Sequence, residues 1–247
     1  MEAGTAAGLE VIPGIELDCF FEGVLFHVLG YGIDPDNPGF RDIAADVLAK
    51  SQAASRETLS LIKTIGIDPD EEEILAKASE GVVTGELVAK LVLAKPGAGD
   101  NPLLRPYLPG GSRSDSPYVN FYWDFCSQGK PAYAAVDFIS MTEAIAVIEE
   151  AGGVPVLAHP GQMLQGREAM LPSIVAQGIR GIEAYSSYHS PEQNGYYRQE
   201  AEKLRVLITG GSDFHGRAKP PIKMGCFGFD GDGLDMLGIL RKALGLP

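Results

Sequence analysis

The pattern of apolar and polar positions divides this chain into a strand pair, a helical stretch, a long break and a regular alternation. The residues before Gly8 read as the last turns of a helix that stops at that glycine. Residues 9–17 and 24–31 read as two strands joined by a short acidic and aromatic turn, able to pair as a hairpin. From Pro38 to about Lys95 the apolar positions Ile43, Val47, Leu48, Leu59, Leu61, Ile62 and Ile65 recur with a broken helical period. Asp70 and Thr84 are placed to cap helices over 71–78 and 85–94. A long proline- and glycine-rich break over 96–117 follows, then an aromatic helix over 118–127 that carries Trp123. Trp123, Tyr118, Phe121, Tyr122 and Phe125 read as packing groups rather than as a base-stacking platform.

Beyond Pro131 the rhythm is regular. Ser140 and Glu143 form a capping box that opens a helix to Ala151. Strands over 154–158, 181–185 and 206–209 alternate with helices near 167–177, 191–204 and 234–244. Such alternation predicts an α/β fold built on a parallel sheet or barrel, where chemistry gathers at the carboxyl ends of strands.

Composition narrows the classes. The 247 residues are 45% hydrophobic and 21% charged, enough for one core, or a core with a smaller insert. A net charge of −13 and a pI near 4.7 argue against a broad nucleic-acid-binding face. They leave room for a small phosphorylated substrate, because bound divalent cations reverse the local field. Cys19, Cys126 and Cys226 stand far apart without a CxxC pair, which suggests reduced thiols. The N-terminus has no secretory pattern and no apolar run reaches membrane-spanning length, so the expected location is the cytoplasm, with no membrane.

The candidate chemistry lies at predicted strand ends. Glu16 closes Val11-Ile12-Pro13-Gly14-Ile15-Glu16, His27 lies in the second strand, and His159 ends a wholly apolar strand. Asp213 and His215 follow Gly210-Gly211-Ser212, two residues apart on an extended segment, so both point the same way. Imidazoles and carboxylates on a strand scaffold are the ligand set of a hydrolytic metal site. Taken singly, each residue also has a plain structural reading, as a turn cap, a rim charge or a core histidine. His189, just ahead of a helix start, reads equally as an anion binder or as a loop histidine. Arg105, Arg113, Lys130, Arg217 and Lys219 are the bases nearest loop or strand-end chemistry. Arg113, Lys130 and His189 are the candidates for holding a substrate phosphate.

Four ordered motifs, Val11 to Glu16, His27 to Tyr31, Ala158 to Gly161 and Gly210 to Gly216, resemble those of the PHP (polymerase and histidinol phosphatase) superfamily. The resemblance spans nearly the whole chain and is closest to the metal-dependent phosphoesterase branch. It implies a distorted seven-stranded β/α barrel with a helical insertion domain, the barrel formed by 1–34 and 131–247 and the insertion by 35–130. It implies two or three divalent ions (Mn, Zn or Fe) and phosphoester hydrolysis by metal-bound water, without a protein nucleophile. Glu16 would bridge two metals, His27 and His159 would complete one side, Asp213 would hold a metal on the other, and His215 a third. Substrates would be phosphomonoesters, nucleotides or short oligonucleotide ends.

The chain shows no counterpart of the family's opening His-x-His and Asp-His-Asp segments. On the resemblance, the first two barrel strands are then missing, fewer than three metals are expected, and exposed strand edges invite self-association. The alternatives are a metal-dependent amidohydrolase cleaving C–N bonds, and an inactive truncated chain that binds a metal or a partner segment.

Overall fold

A computed structural model describes residues 1–216, 219, 221–231 and 233–246. In chain order the elements are α1 (Glu2–Ala6), β1 (Gly14–Phe21), β2 (Val24–Tyr31), α2 (Pro38–Thr64), α3 (Glu71–Lys77), α4 (Gly85–Ala94) and α5 (Pro117–Phe121). There follow β3 (Ile139–Ser140), α6 (Met141–Glu150), β4 (Val154–Leu157), α7 (Pro160–Met163), α8 (Leu171–Val175), β5 (Gly181–Ser186), α9 (Pro191–Leu204), β6 (Leu207–Gly211) and α10 (Leu234–Ala243). The chain forms two compact units, one of residues 1–41 with 138–247 and one of residues 42–137. Among the described residues, no helix is long and apolar enough to cross a membrane.

The first unit is a mixed α/β structure around one six-stranded sheet, ordered β3-β1-β2-β4-β5-β6 among the described residues. The sheet is not wholly parallel. β1 and β2 form an antiparallel hairpin, β2 pairs antiparallel with β4, and β4-β5-β6 run parallel. The hairpin, as the two short-linked strands suggest, stands outside the alternation beyond Pro131 because only two residues join its strands. Glu22 (φ 49°) and Gly23 (φ 75°) both take positive φ, the backbone of a tight turn whose twist matches the strands. Two residues cannot carry the crossover that a parallel pair requires.

Three local boundaries differ from expectation. β1 starts at Gly14 rather than Leu9. The preceding residues fold back on α1, with Leu9 donating to the Gly4 carbonyl, and Pro13 has no N–H to give a ladder. The sixth strand, β3, is two residues long and pairs with Cys19 and Phe20, too short to show a period in sequence. The helix expected over 167–177 is a 3-10 turn over Glu168–Met170 followed by α8, with Pro172 at its start.

Register sorts the hairpin into two faces. Leu17 opposes Val28 and Cys19 opposes Phe26, all four buried, while Glu16 opposes Leu29 and Asp18 opposes His27 on the other face. Helix α6 covers the apolar face. Its buried residues Met141, Ala144, Ile145 and Ile148 follow helical spacing, and the Ser140–Glu143 capping box fixes its start. The helix sits close because Gly30 has no side chain: a Cβ there would lie 2.9 Å from Ile148 Cγ1.

The second unit is helical. Asp70 caps α3 and Thr84 caps α4 through side-chain oxygens, as their positions predict. Leu59, Ile62, Ile74, Val88, Val92 and Phe121 build its core. The aromatic stretch is α5 followed by a π turn over Tyr122–Cys126. Phe121 is buried, as a packing residue should be, but Trp123 is 49% exposed.

The Gly30 contact is testable. Gly30→Val should cost about 1–3 kcal/mol of stability by overpacking, read as a lower urea midpoint. Adding Ile148→Ala should restore part of the loss. An unchanged midpoint for Gly30→Val would show that the helix does not rest on this strand as described.

Candidate metal centre

The hairpin register brings three side chains of the site together. Glu16 and Asp18 share one face of β1, and His27 lies opposite Asp18 and diagonal to Glu16. His27 Nδ1 is 2.7 Å from Glu16 Oε1, and its Nε2 is 3.0 Å from Asp18 Oδ1. With a carboxylate on each ring nitrogen, both nitrogens act as N–H donors and the ring carries charge. Burial works against that charge, but the bonds to Asp18 and Glu16 outweigh it and raise the His27 pKa to about 9.

The third side chain arrives from β4. His159 follows Leu157 and Ala158 and is 3% exposed. Its Nε2 lies 3.2 Å from the same Glu16 oxygen, and its ring meets His27 edge-on at 4.9 Å between centroids. Burial favours a neutral Glu16, but the bonds from His159 and His27 prevail and hold the carboxyl well below the usual range. His159 has φ 23° and ψ 58°, a costly backbone for a residue with a Cβ. Two anchors hold it. The His159 N–H donates to Glu183 Oε2 at 2.8 Å, and the Gly161 N–H donates to His189 Nε2 at 3.0 Å. A Cβ on Gly161 would lie 2.7 Å from His189 Cδ2, so the turn needs glycine there. Glu183 is itself buried, and burial together with the charges of Glu16 and Asp213 outweighs its bond from His159 and pushes its carboxyl up to about 8.

Glu16, His27 and His159 each offer a ligand atom, all within 4.8 Å of one another. Two ring nitrogens converge on one carboxylate oxygen, an arrangement in which a divalent cation can replace the shared protons. Asp18 orients His27 from its far nitrogen, the usual outer partner of a ligating imidazole. His159 Nδ1 is buried and has no hydrogen-bond partner among the described residues. The donor set fits a divalent metal.

The other sequence candidates lie elsewhere. Asp213 (φ 52°) is not in the triad; its Oδ2 receives the Tyr188 hydroxyl at 2.6 Å and Lys219 Nζ at 2.7 Å. His215 turns its Nδ1 to the Asp213 backbone carbonyl at 2.7 Å. His189 does not read as an anion holder. Its Nδ1 lies 3.0 Å from the Ala184 carbonyl while Nε2 accepts from Gly161, and burial lowers its pKa, so the ring is neutral and fully engaged. Arg113, in the helical unit, is spent on Asp124 through two bonds of 2.9 and 2.7 Å. Lys130 is exposed in that unit, and Arg217 lies outside the described residues. Asp18, Glu183 and Tyr188 were not singled out by sequence. Only the two-residue spacing of Asp18 from Glu16 could have marked one of them.

The His27 charge sets a pH window for the metal-free protein. Below pH 6.5 the ring is protonated folded or unfolded, whereas between 6.5 and about 9 only the folded form holds the proton. Its contribution to stability is therefore complete below 6.5 and lost as pH rises through about 9. The thermal midpoint should fall across that window, and His27→Gln should flatten the fall. A wild-type profile that is already flat would contradict the doubly bonded imidazolium.

No family model matches the chain. Sequence relatives do. A phosphoribosyl 1,2-cyclic phosphate 1,2-diphosphodiesterase of Eggerthella lenta is 29% identical over 87% of this chain and 77% of its own length. A 3',5'-nucleoside bisphosphate phosphatase of Chromobacterium violaceum is 26% identical over 87% of this chain and 72% of its own. The 5'-3' exoribonuclease Rnm of Salmonella typhimurium is 26% identical over 84% and 66%. Among solved structures, a Bifidobacterium adolescentis protein described as a metal-dependent phosphoesterase superposes with a TM-score of 0.70 at 23% identity, over 98% of this chain and 79% of that one. A Chromobacterium violaceum protein described as an amidohydrolase gives 0.67 at 22%, over 87% and 72%. The sequence relatives are phosphoesterases and the fold is that of a protein described as a metal-dependent phosphoesterase, both consistent with the PHP superfamily that the motifs resemble.

Proposed function

We propose that this chain hydrolyses phosphoesters of small, nucleotide-type substrates at a divalent cation held by Glu16, His27 and His159. The observation that carries this reading is the convergence of the three side chains, their ligand atoms within 4.8 Å, from two strands of a hairpin and the end of a third. When bound, a divalent ion supplies positive charge for phosphoryl oxygens and lowers the pKa of water.

The chain's own residues do the rest. Asp18 and Glu183 fix the rings' geometry, so the donor set needs little rearrangement on binding. Cys19, beside the site in sequence, points to the buried face, and burial pushes its thiol up to about 12, so it is no nucleophile. The net charge of −13 disfavours long duplexes and leaves nucleotides and oligonucleotide ends as substrates. Of the relatives, one is named for a nucleoside bisphosphate, one for RNA and one for a phosphoribosyl cyclic phosphate, all of them phosphoesters. Manganese, zinc and iron all suit the donor set. The same reading takes the six-stranded sheet as part of a PHP-type β/α barrel, with residues 35–130 as a helical insertion between 1–34 and 131–247.

The reading is tested by incubating purified protein with Mn²⁺ and a nucleoside bisphosphate, a 5'-phosphorylated RNA oligomer or an amide substrate. Phosphoester hydrolysis is expected, read as phosphate released from the first or mononucleotide released from the second, and no C–N cleavage from the third. Glu16→Gln and His159→Ala should abolish both metal retention and phosphoester hydrolysis. Asp18→Asn should weaken metal binding by about 10–100-fold. C–N cleavage without phosphoester hydrolysis, or full metal retention in both ligand variants, would overturn the proposal.

A further inference from the structure

The five side chains that the sequence groups together divide in the structure. Glu16, His27 and His159 converge, but Asp213 is engaged by an ammonium of the same chain. The Asp213 side chain is only 11% exposed, so its charge requires a partner. Lys219 Nζ lies 2.7 Å from Oδ2. The Tyr188 hydroxyl donates to that oxygen at 2.6 Å and accepts from Lys219 at 2.9 Å, closing a three-membered network. The ammonium also stands 5.6 Å from the Tyr188 ring centroid, a favourable cation–π distance.

We infer that Lys219 is the second cation of this site: it takes the place of a divalent ion at Asp213 and holds an oxygen of the substrate phosphate. The inference rests on the metal reading above for its first cation. Three observations support it. An ammonium has three N–H donors. Two go to Asp213 and Tyr188, and the third has no partner among the described residues. The Lys219 side chain is 43% exposed, so that donor is open to a ligand from solvent. Finally, the network borders the triad, because the Tyr188 ring packs edge-on against His159 at 5.7 Å between centroids.

The chemistry is coherent. A phosphoryl group gathers charge on its non-bridging oxygens during transfer and is stabilised by fixed positive charge around it. A lysine is a compact point charge that follows a phosphate oxygen, and it needs no further protein ligands. Asp213 and Tyr188 hold that charge in place; His215 Nδ1 is bonded to the Asp213 carbonyl at 2.7 Å and stands 3.4 Å from Oδ1, the carboxylate oxygen that Lys219 does not hold. The site would then run on one divalent ion and one ammonium, fewer metals than the family pattern implies.

Metal counting and phosphate titration together test this. Wild-type protein dialysed against Mn²⁺ should retain one ion per chain by plasma mass spectrometry. Asp213→Asn should retain the same ion, and His159→Ala none. Lys219→Met should weaken inorganic phosphate binding at least tenfold while leaving the ion count and circular dichroism unchanged. A lower ion count in Asp213→Asn would make Asp213 a metal ligand and overturn the inference while leaving the metal reading intact. A phosphate affinity unchanged by Lys219→Met would overturn it as well. Wild-type protein that retains no ion would instead sink the metal reading, and would overturn the inference with it, since a second cation requires a first.

Discussion

The pairing of β1 with β2 is the constraint on which the centre depends. Side chains along a strand alternate between faces, so a slip of one residue would carry Glu16 and Asp18 to the apolar side. It would also bring Leu17 and Cys19 out from under α6. Burial and chemistry therefore demand the same register. The two-residue turn at Glu22 and Gly23 fixes it from one end, and the close seat of Ile148 on Gly30 fixes it near the other. Stability of the hairpin and geometry of the donor set are one problem with one solution.

The second support is the turn after β4. His159 occupies a backbone region that costs free energy, of order 1–3 kcal/mol. The bonds to Glu183 and His189 offset that cost and aim the ring at Glu16. Both partners come from β5 or the loop just after it, so the parallel β4-β5 pairing aligns the imidazole with the hairpin. A catalytic role for His189 is unnecessary; its nitrogens are committed to holding this turn. Buried carboxylates and a strained histidine are what folding tolerates only where function or binding compensates.

Much of this was legible in the chain. The caps at Asp70, Thr84 and Ser140 announce helices because an oxygen at that position satisfies N–H groups the helix cannot. His159 stands out because it follows a wholly apolar strand, and Glu16 and His27 because polar residues among apolar strand positions are costly without a purpose, although both lie inside β1 and β2 rather than at strand ends. The outer partners were hidden for a physical reason. The roles of Asp18 and Glu183 depend on register and on which strands are neighbours, and no local pattern encodes either. Asp213 and His215 read as metal ligands from their two-residue spacing after a strand, yet β6 ends at Gly211 and Asp213 takes φ 52°, so the segment is not extended and spacing fixes neither direction nor company. Lys219, one of five bases noted in the sequence, is the company Asp213 keeps. β3 escaped notice because two residues cannot display a period. Trp123 reads as packing from its neighbours, and it does meet the Tyr122 ring, yet it is half exposed in the π turn.

Glu16, His27 and His159 are the proposed metal centre. Anomalous diffraction from crystals grown with Mn²⁺ or Zn²⁺ tests it most directly. One strong peak is expected at ligand distance, about 2.0–2.2 Å for imidazole and carboxylate donors to zinc, from all three side chains. A peak seated on Asp213 and His215 with the triad empty, or no peak at all, would contradict it.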